Sequence, residues 1–248
     1  MDTSNITPVD PTVTKDDTKP KKKVIIGLPG DNFSSKFLIS FSNTIATLLG
    51  SDKYEFGIAP GVGSMVHFVR MQTLGLDVTK GITQKPFNNS DFDIWITIDS
   101  DIIFTPELVM ELLASTEDHP AVGGLYRMAD LQNFAAVQNW DQKYFSENAT
   151  YEFVTQEILD EWKSDSKPKY MPVNYTGLGF FACRKEVLDN MVYPYFDGAL
   201  NETVYKDGTL MRDMSSEDVN FCRNIQKAGF DIHLNTEIRV GHLKPLII

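Results

Sequence analysis

From residue 24 to residue 126 the chain alternates short apolar runs with longer segments whose apolar residues recur every three or four positions. Val24-Ile25-Ile26-Gly27-Leu28 reads as a buried strand, and Pro29-Gly30-Asp31 as the turn behind it. Residues 35–49 carry Phe37, Leu38, Phe41, Ile45, Leu48 and Leu49 at helical spacing, with Gly50 as a stop. A second short strand is expected over 54–59. Ser64 is placed to cap a helix running to about Thr73, with Met65, Phe68, Val69 and Gln72 along one side. Phe92 to Ile98 is apolar on both faces, as in a strand covered on both sides. Thr105-Pro106-Glu107 opens the next helix with a cap, a proline in the first turn and an early acid. Ala121 to Tyr126 reads as a further strand.

This alternation predicts an α/β fold with a Rossmann-like, mostly parallel central sheet flanked by helices. The second half is less regular. Helices are expected over 152–163 and 216–228, the latter stopped by Gly229. Asn174 to Cys183 reads as a strand interrupted by glycines, and 230–234 and 237–240 as extended segments. There is no internal repeat and no linker after residue 24, so 24–248 is expected to form one domain. Residues 1–23, rich in Thr, Asp, Pro and Lys without apolar periodicity, are expected to form a disordered tail.

Composition narrows the function classes. Of 248 residues, 23 are Lys or Arg and 34 are Asp or Glu, a net charge of −11. That balance argues against broad nucleic-acid binding, which needs a basic surface. It leaves room for an anionic ligand in a pocket where a metal ion supplies positive charge. No run approaches the roughly 18 apolar residues of a membrane-spanning helix, so no transmembrane segment is expected. The opening residues lack the basic start and apolar run of a signal peptide. Cys183 and Cys222 stand in apolar contexts and read as buried free thiols of a reducing compartment. A cytoplasmic protein is the expectation.

Four pieces could carry chemistry. The first is Asp99-Ser100-Asp101, where an apolar strand ends. Ligands of open α/β sheets bind beyond the carboxyl ends of strands. Residues i and i+2 on an extended backbone point the same way, and two converging carboxylates need a cation between them. Hard oxygen ligands suit Mn2+ or Mg2+. The alternative is a solvated turn, against which stands Ile102-Ile103-Phe104 on the far side.

The second is Ser215-Ser216-Glu217-Asp218 before Val219, Cys222 and Ile225. Its plain reading is a capping box on a helix whose dipole favours acids, and a functional acid can share that position. The third is His242 after a strand ending at Val240, where packing competes with a ligand role. The fourth is Tyr175-Thr176-Gly177-Leu178-Gly179, where two glycines mark either a simple kink or close approach to a ligand.

In this order, the Asp-x-Asp after a strand, the glycine loop, the Glu-Asp helix start and the late histidine resemble a glycosyltransferase of the GT-A fold, over roughly residues 24–243. The stretch IWITIDSDIIFTPELVMELL is similar to the surroundings of the metal motif in family 2-like members. The resemblance implies a nucleotide-binding half over about 24–126 and an acceptor-binding half over about 127–248. It implies that Asp99, Asp101 and His242 hold Mn2+ or Mg2+, with Asp99 and Ser100 also near the nucleotide. Asp218, with Glu217 beside it, would hold the acceptor and, in an inverting reaction, take the proton of its hydroxyl; in a retaining one Asp218 would position the acceptor. Gly177 and Gly179 would lie near donor and acceptor. Pro29 and Asp31 would lie near the nucleobase, and Arg70 near the nucleotide. The implied donor is a nucleotide-diphosphate sugar, a UDP-sugar before a GDP-sugar, and the implied product a hexose joined to an acceptor hydroxyl. That acceptor is a saccharide, a lipid, a protein or a small molecule. Tyr126, Arg127 and Trp140 could line its side.

Two rivals use the same residues differently. In a haloacid-dehalogenase-like phosphatase Asp99 would be the nucleophile, but Ile103 stands where that pattern wants Thr or Val, and the motif lies far from the first strand. A non-catalytic sugar-nucleotide-binding module would not need all four polar pieces.

Overall fold

The computed structural model describes residues 20–164 and 169–244. In chain order its first half contains β1 (Lys22–Pro29), α1 (Ser35–Leu49), β2 (Tyr54–Gly61), α2 (Val66–Gln72), β3 (Ile94–Ile98), β4 (Ile102–Ile103), α3 (Pro106–Asp118) and β5 (Ala121–Leu125). Then come β6 (Ala136–Val137), α4 (Gln142–Asn148), α5 (Gln156–Ser164), β7 (Tyr170–Val173), β8 (Tyr175–Thr176), β9 (Phe180–Arg184) and α6 (Lys185–Asn190). The last elements are β10 (Leu200–Val204), β11 (Leu210–Met214), α7 (Glu217–Lys227), β12 (Ile232–Arg239) and β13 (Gly241–His242).

A seven-stranded sheet in the order β2-β1-β3-β9-β5-β12-β7 forms the centre. β1 pairs in parallel with β2 and β3, and β12 with β5. β9 runs antiparallel between β3 and β5, and β7 antiparallel at the edge. Five strands therefore share one direction, and the expected mostly parallel α/β layer fold is the fold observed. β3 is buried along its whole length because both sheet faces are covered. Period-2 alternation divides its side chains. Ile94, Ile96 and Ile98 pack with Val24 and Ile26 against Phe37 and Leu48 of α1 and Val109 and Leu112 of α3. Trp95 packs the other way, with Phe181 and Cys183, against Met71 of α2, Leu188 of α6 and Phe221 of α7. Both cysteines are buried free thiols, as expected.

Several boundaries differ from the sequence pattern. β1 begins at Lys22, inside the stretch read as tail, because Lys22 and Lys23 pair with Tyr54 and Glu55. The rest of that expectation, residues 1–19, lies outside the described residues. The helix expected from Ser64 is shorter: α2 is capped at Met65 without a side-chain bond. Its buried residues are Val69, Arg70 and Met71, whereas Met65 and Phe68 are exposed. The single strand expected over 174–183 is split into β8 and β9, since Gly177 to Gly179 form a connection between two sheets. The two extended segments after 230 are one strand, β12, with a register shift between Asn235 and Arg239. The hairpin β10–β11 has no counterpart in the pattern; its apolar residues Leu200, Val204, Leu210 and Met214 pair across the two strands and stay exposed instead of joining the core.

Candidate functional site

The site is built where β1 and β3 end. Pro29, Gly30, Gly63, Ser64, Val66, Val69, Arg70, Asp99, Ser100 and Asp101 line a cleft of about 330 Å³. This is the carboxyl edge of the parallel strands, where ligands of such sheets bind. Gly30 has φ 119°, which a side chain rarely adopts, and a Cβ there would stand 3.2 Å from Ser100 Oγ. The two strand ends are thus held close. Asp31 is exposed and is not among the cleft-lining residues.

Asp99 and Asp101 both reach the cleft, but not as an extended i, i+2 pair. The Ile102 N–H donates to the Asp99 carbonyl at 3.0 Å, which folds the triplet into a turn. The two carboxylates consequently take different partners. Arg70 grips Asp99 bidentately, with Nη1–Oδ1 2.5 Å and Nη2–Oδ2 3.0 Å. Nη1 also reaches Thr97 Oγ1 at 3.2 Å. Asp101 instead meets His242 Nε2 at 3.2 Å and Lys244 Nζ at 2.7 Å, both on Oδ2.

Arg70 is 4% exposed. Burial alone would lower its pKa, but the Asp99 charge and hydrogen bonds, with Glu217 behind them, outweigh burial and raise it. Its Nε lies 3.5 Å from Glu217 Oε1, close enough for charge attraction, yet it has no hydrogen-bond partner. Burial pushes the Glu217 carboxyl above its usual range; Asp218 adds to this and Arg70 opposes it. Arg70 therefore joins the strand-end carboxylate to the acidic start of α7.

Asp218 is fixed by three donors. Tyr175 Oη–H donates to Oδ2 at 2.7 Å, the Val219 N–H donates to Oδ1 at 2.8 Å, and Ser216 Oγ donates to Oδ1. The capping box expected from Ser215 is not formed. Ser216 is the cap position and makes no capping bond, while Ser215 Oγ bonds the Ala199 carbonyl and Asn220 Oδ1. Without that competing role, the start of α7 presents its acids to Tyr175 and Arg70.

Gly177 and Gly179 have a packing reason. A Cβ on Gly177 would lie 2.0 Å from Tyr126 Oη, and one on Gly179 2.9 Å from Tyr126 Cζ. The Gly179 N–H donates to Tyr126 Oη at 3.1 Å, and its carbonyl accepts from the Asp99 N–H at 2.9 Å. The glycine loop thus seats Tyr126 beneath the site and positions Asp99. Burial pushes the Tyr126 phenol up, and the Asp99 charge adds to the effect. Trp140 is turned toward the Tyr151 and Tyr175 rings, with its Nε1 donating to Gln226.

His242 Nδ1 lies 2.7 Å from the Arg127 carbonyl. A carbonyl only accepts, so Nδ1 carries the proton. Nε2 faces the Asp101 carboxylate. An imidazole nitrogen and a carboxylate brought together in this way are a donor pair that a divalent cation can take. Among the described residues no group of three or more His, Cys, Asp and Glu side chains is placed to hold a metal ion. Two protein ligands are enough where substrate phosphates and water complete the shell.

The sequence pattern passed over Gly63, Ser64 and Val69 in the cleft wall, Tyr175 as the partner of Asp218, and Lys244. The first had a signal in Gly61-Val62-Gly63. A Cβ on Gly61 would lie 2.2 Å from the Val69 carbonyl oxygen, so the close approach of α2 to the end of β2 needs a glycine there. Lys244 had none.

Among solved structures, A197 from STIV aligns with 90% of this chain and 86% of its own at TM-score 0.52 and 15% identity. That likeness shows a shared fold. GalNAc-T7 with UDP, GalNAc and Mn2+ overlays at TM-score 0.45 and 12% identity, over 91% of this chain and 43% of that one. Glucosyl-3-phosphoglycerate synthase from Mycobacterium tuberculosis, in complex with Mn2+, UDP and phosphoglyceric acid, overlays at TM-score 0.42 and 12% identity, over 91% and 72%. No family model matches the chain, and no curated protein matches it. No helix among the described residues is long and apolar enough to cross a membrane.

Proposed function

We propose that the chain is a metal-dependent glycosyltransferase of the GT-A fold, moving a hexose from a nucleotide-diphosphate sugar, a UDP-sugar in the first place, to an acceptor hydroxyl. The observation that carries this reading is the meeting of Asp101 with His242 at the cleft that ends β1 and β3. A second acidic pair, Glu217 and Asp218, lies beyond Arg70. The two carboxylate groups suit the two halves of a transfer reaction.

Asp101 and His242 would hold Mn2+ or Mg2+. A divalent cation held there would supply positive charge for a diphosphate leaving group. Pro29 and Gly30 form the wall for the nucleoside. Arg70 does not meet the phosphates through Nη1 and Nη2, which are committed to Asp99; it fixes Asp99 against the cleft. Asp218, its oxygens oriented by Tyr175, Ser216 and Val219, receives the acceptor hydroxyl. The phosphatase alternative fits poorly, because the bidentate ion pair with Arg70 neutralises and fixes the Asp99 carboxylate that would have to attack.

The direct experiment incubates the protein with a panel of nucleotide sugars, with and without Mn2+, and follows nucleotide binding and nucleoside diphosphate release. Metal-dependent binding and release from at least one donor are expected. Neither from any donor would sink the reading.

A further inference from the structure

Lys244 stands two residues beyond His242, and its Nζ lies 2.7 Å from Asp101 Oδ2. His242 Nε2 faces the same oxygen at 3.2 Å. The backbone seats this contact. β13 pairs His242 with Ile102, and the Leu243 N–H donates to the Asp101 carbonyl at 2.7 Å. Asp99 is held instead by Arg70, at both of its oxygens. The Lys244 and Asp101 side chains are 44% and 37% exposed, so the pair can exchange with ions from solution.

We propose that Lys244 is an internal competitor for the cation position at Asp101, and that it makes a divalent cation and a diphosphate bind cooperatively. The inference rests on the assignment of Asp101 and His242 to a cation in the reading above. A cation seated between His242 Nε2 and Asp101 Oδ2 takes the oxygen that Lys244 holds and leaves the ammonium unpaired beside a like charge. When a diphosphate accompanies the cation, its oxygens give the displaced ammonium a new partner. Each ligand then strengthens the other by the same factor, since coupling between two binding events is reciprocal. An exposed ion pair is worth up to about five-fold in an equilibrium constant, which sets the size of the effect.

The test needs no turnover. The full chain is titrated with MnCl2, free Mn2+ being read by electron paramagnetic resonance, with and without saturating UDP. The wild type is compared with Lys244→Met, Lys244→Arg and Asp101→Asn, each checked for folding by circular dichroism. Lys244→Met is expected to bind Mn2+ alone about five-fold tighter than the wild type, and to lose about five-fold of the strengthening that UDP confers. Lys244→Arg keeps the charge and should behave as the wild type. Mn2+ binding by Lys244→Met that is unchanged or weaker, with Asp101→Asn still abolishing it, overturns the competitor role and leaves the cation assignment standing. Tighter binding with undiminished strengthening by UDP overturns the cooperativity. No Mn2+ uptake by the wild type, with or without UDP, overturns the cation assignment and this proposal with it.

Discussion

Arg70 and Asp99 meet as a bidentate pair across 29 residues of chain, at 2.5 and 3.0 Å. The guanidinium side is buried, with 5% of the Arg70 side chain exposed against 28% of Asp99. Breaking a buried pair by removing one partner costs about 3–5 kcal/mol, because the other charge is left uncompensated. Arg70→Met should lose stability at the lower end of that range, since Asp99 keeps some water. Arg70→Lys should lose less stability but still lose the fork that fixes the Asp99 orientation. Urea unfolding of the two variants, with UDP binding measured alongside, checks both statements.

Tyr126 and the glycine loop make a second, steric prediction. Gly177→Ala places a Cβ 2.0 Å from Tyr126 Oη and should destabilise the fold by about 1–3 kcal/mol through overpacking. Tyr126→Phe removes the atom that is met. The double variant should therefore lose less than the sum of the two single losses, and a double-mutant cycle in urea measures the difference. Additive losses would mean that the loop avoids Tyr126 in another way.

At the cleft, Asp101→Ala is expected to abolish metal-dependent nucleotide binding. Asp218→Asn should spare that binding and lose transfer, because Asp218, held by Tyr175, Ser216 and Val219, is not among the residues that line the cleft at Asp101. Calorimetric titration with UDP and Mn2+, together with a transfer assay, separates the two. Nucleotide binding by Asp101→Ala with undiminished metal dependence would remove Asp101 from the cation site.

The far end of the sheet carries a pH dependence. His233 stacks on His119 with ring centroids 3.7 Å apart, and its Nδ1 is buried without a hydrogen-bond partner. Burial lowers the His233 pKa and His119 lowers it further, with Asp231 opposing. The unfolded chain then takes up the proton at a higher pH than the folded one. Stability should be flat above the unfolded value of about 6.5 and fall as pH drops below it toward the folded pKa. His233→Phe should flatten that slope. Thermal unfolding from pH 7.5 to 5 for both proteins is the check.

Much of the first half was legible because its signals are local. The run of β3, the Thr105-Pro106-Glu107 start of α3 and the Gly50 stop of α1 depend on neighbours within a few residues. The face of α2 was misread because its most buried residue, Arg70, is polar, and a hydrophobic pattern assigns it to solvent. The order of the second half was illegible for another reason. β9 inserts antiparallel between β3 and β5, a pairing that neither flanking segment announces.

The same division holds at the site. The sequence by itself determined the α/β layering, two carboxylates at the end of an apolar strand, an acidic start to α7 and a histidine after β12. The tertiary structure alone decided which charge each carboxylate meets. Asp99 goes to Arg70, 29 residues away, and Asp101 to His242 and Lys244, 141 and 143 residues away. A strand or helix is chosen by the dihedral preferences and periodicity of adjacent residues. A salt bridge is chosen by which side chains the closed sheet brings within a few ångströms, and no local pattern carries that distance.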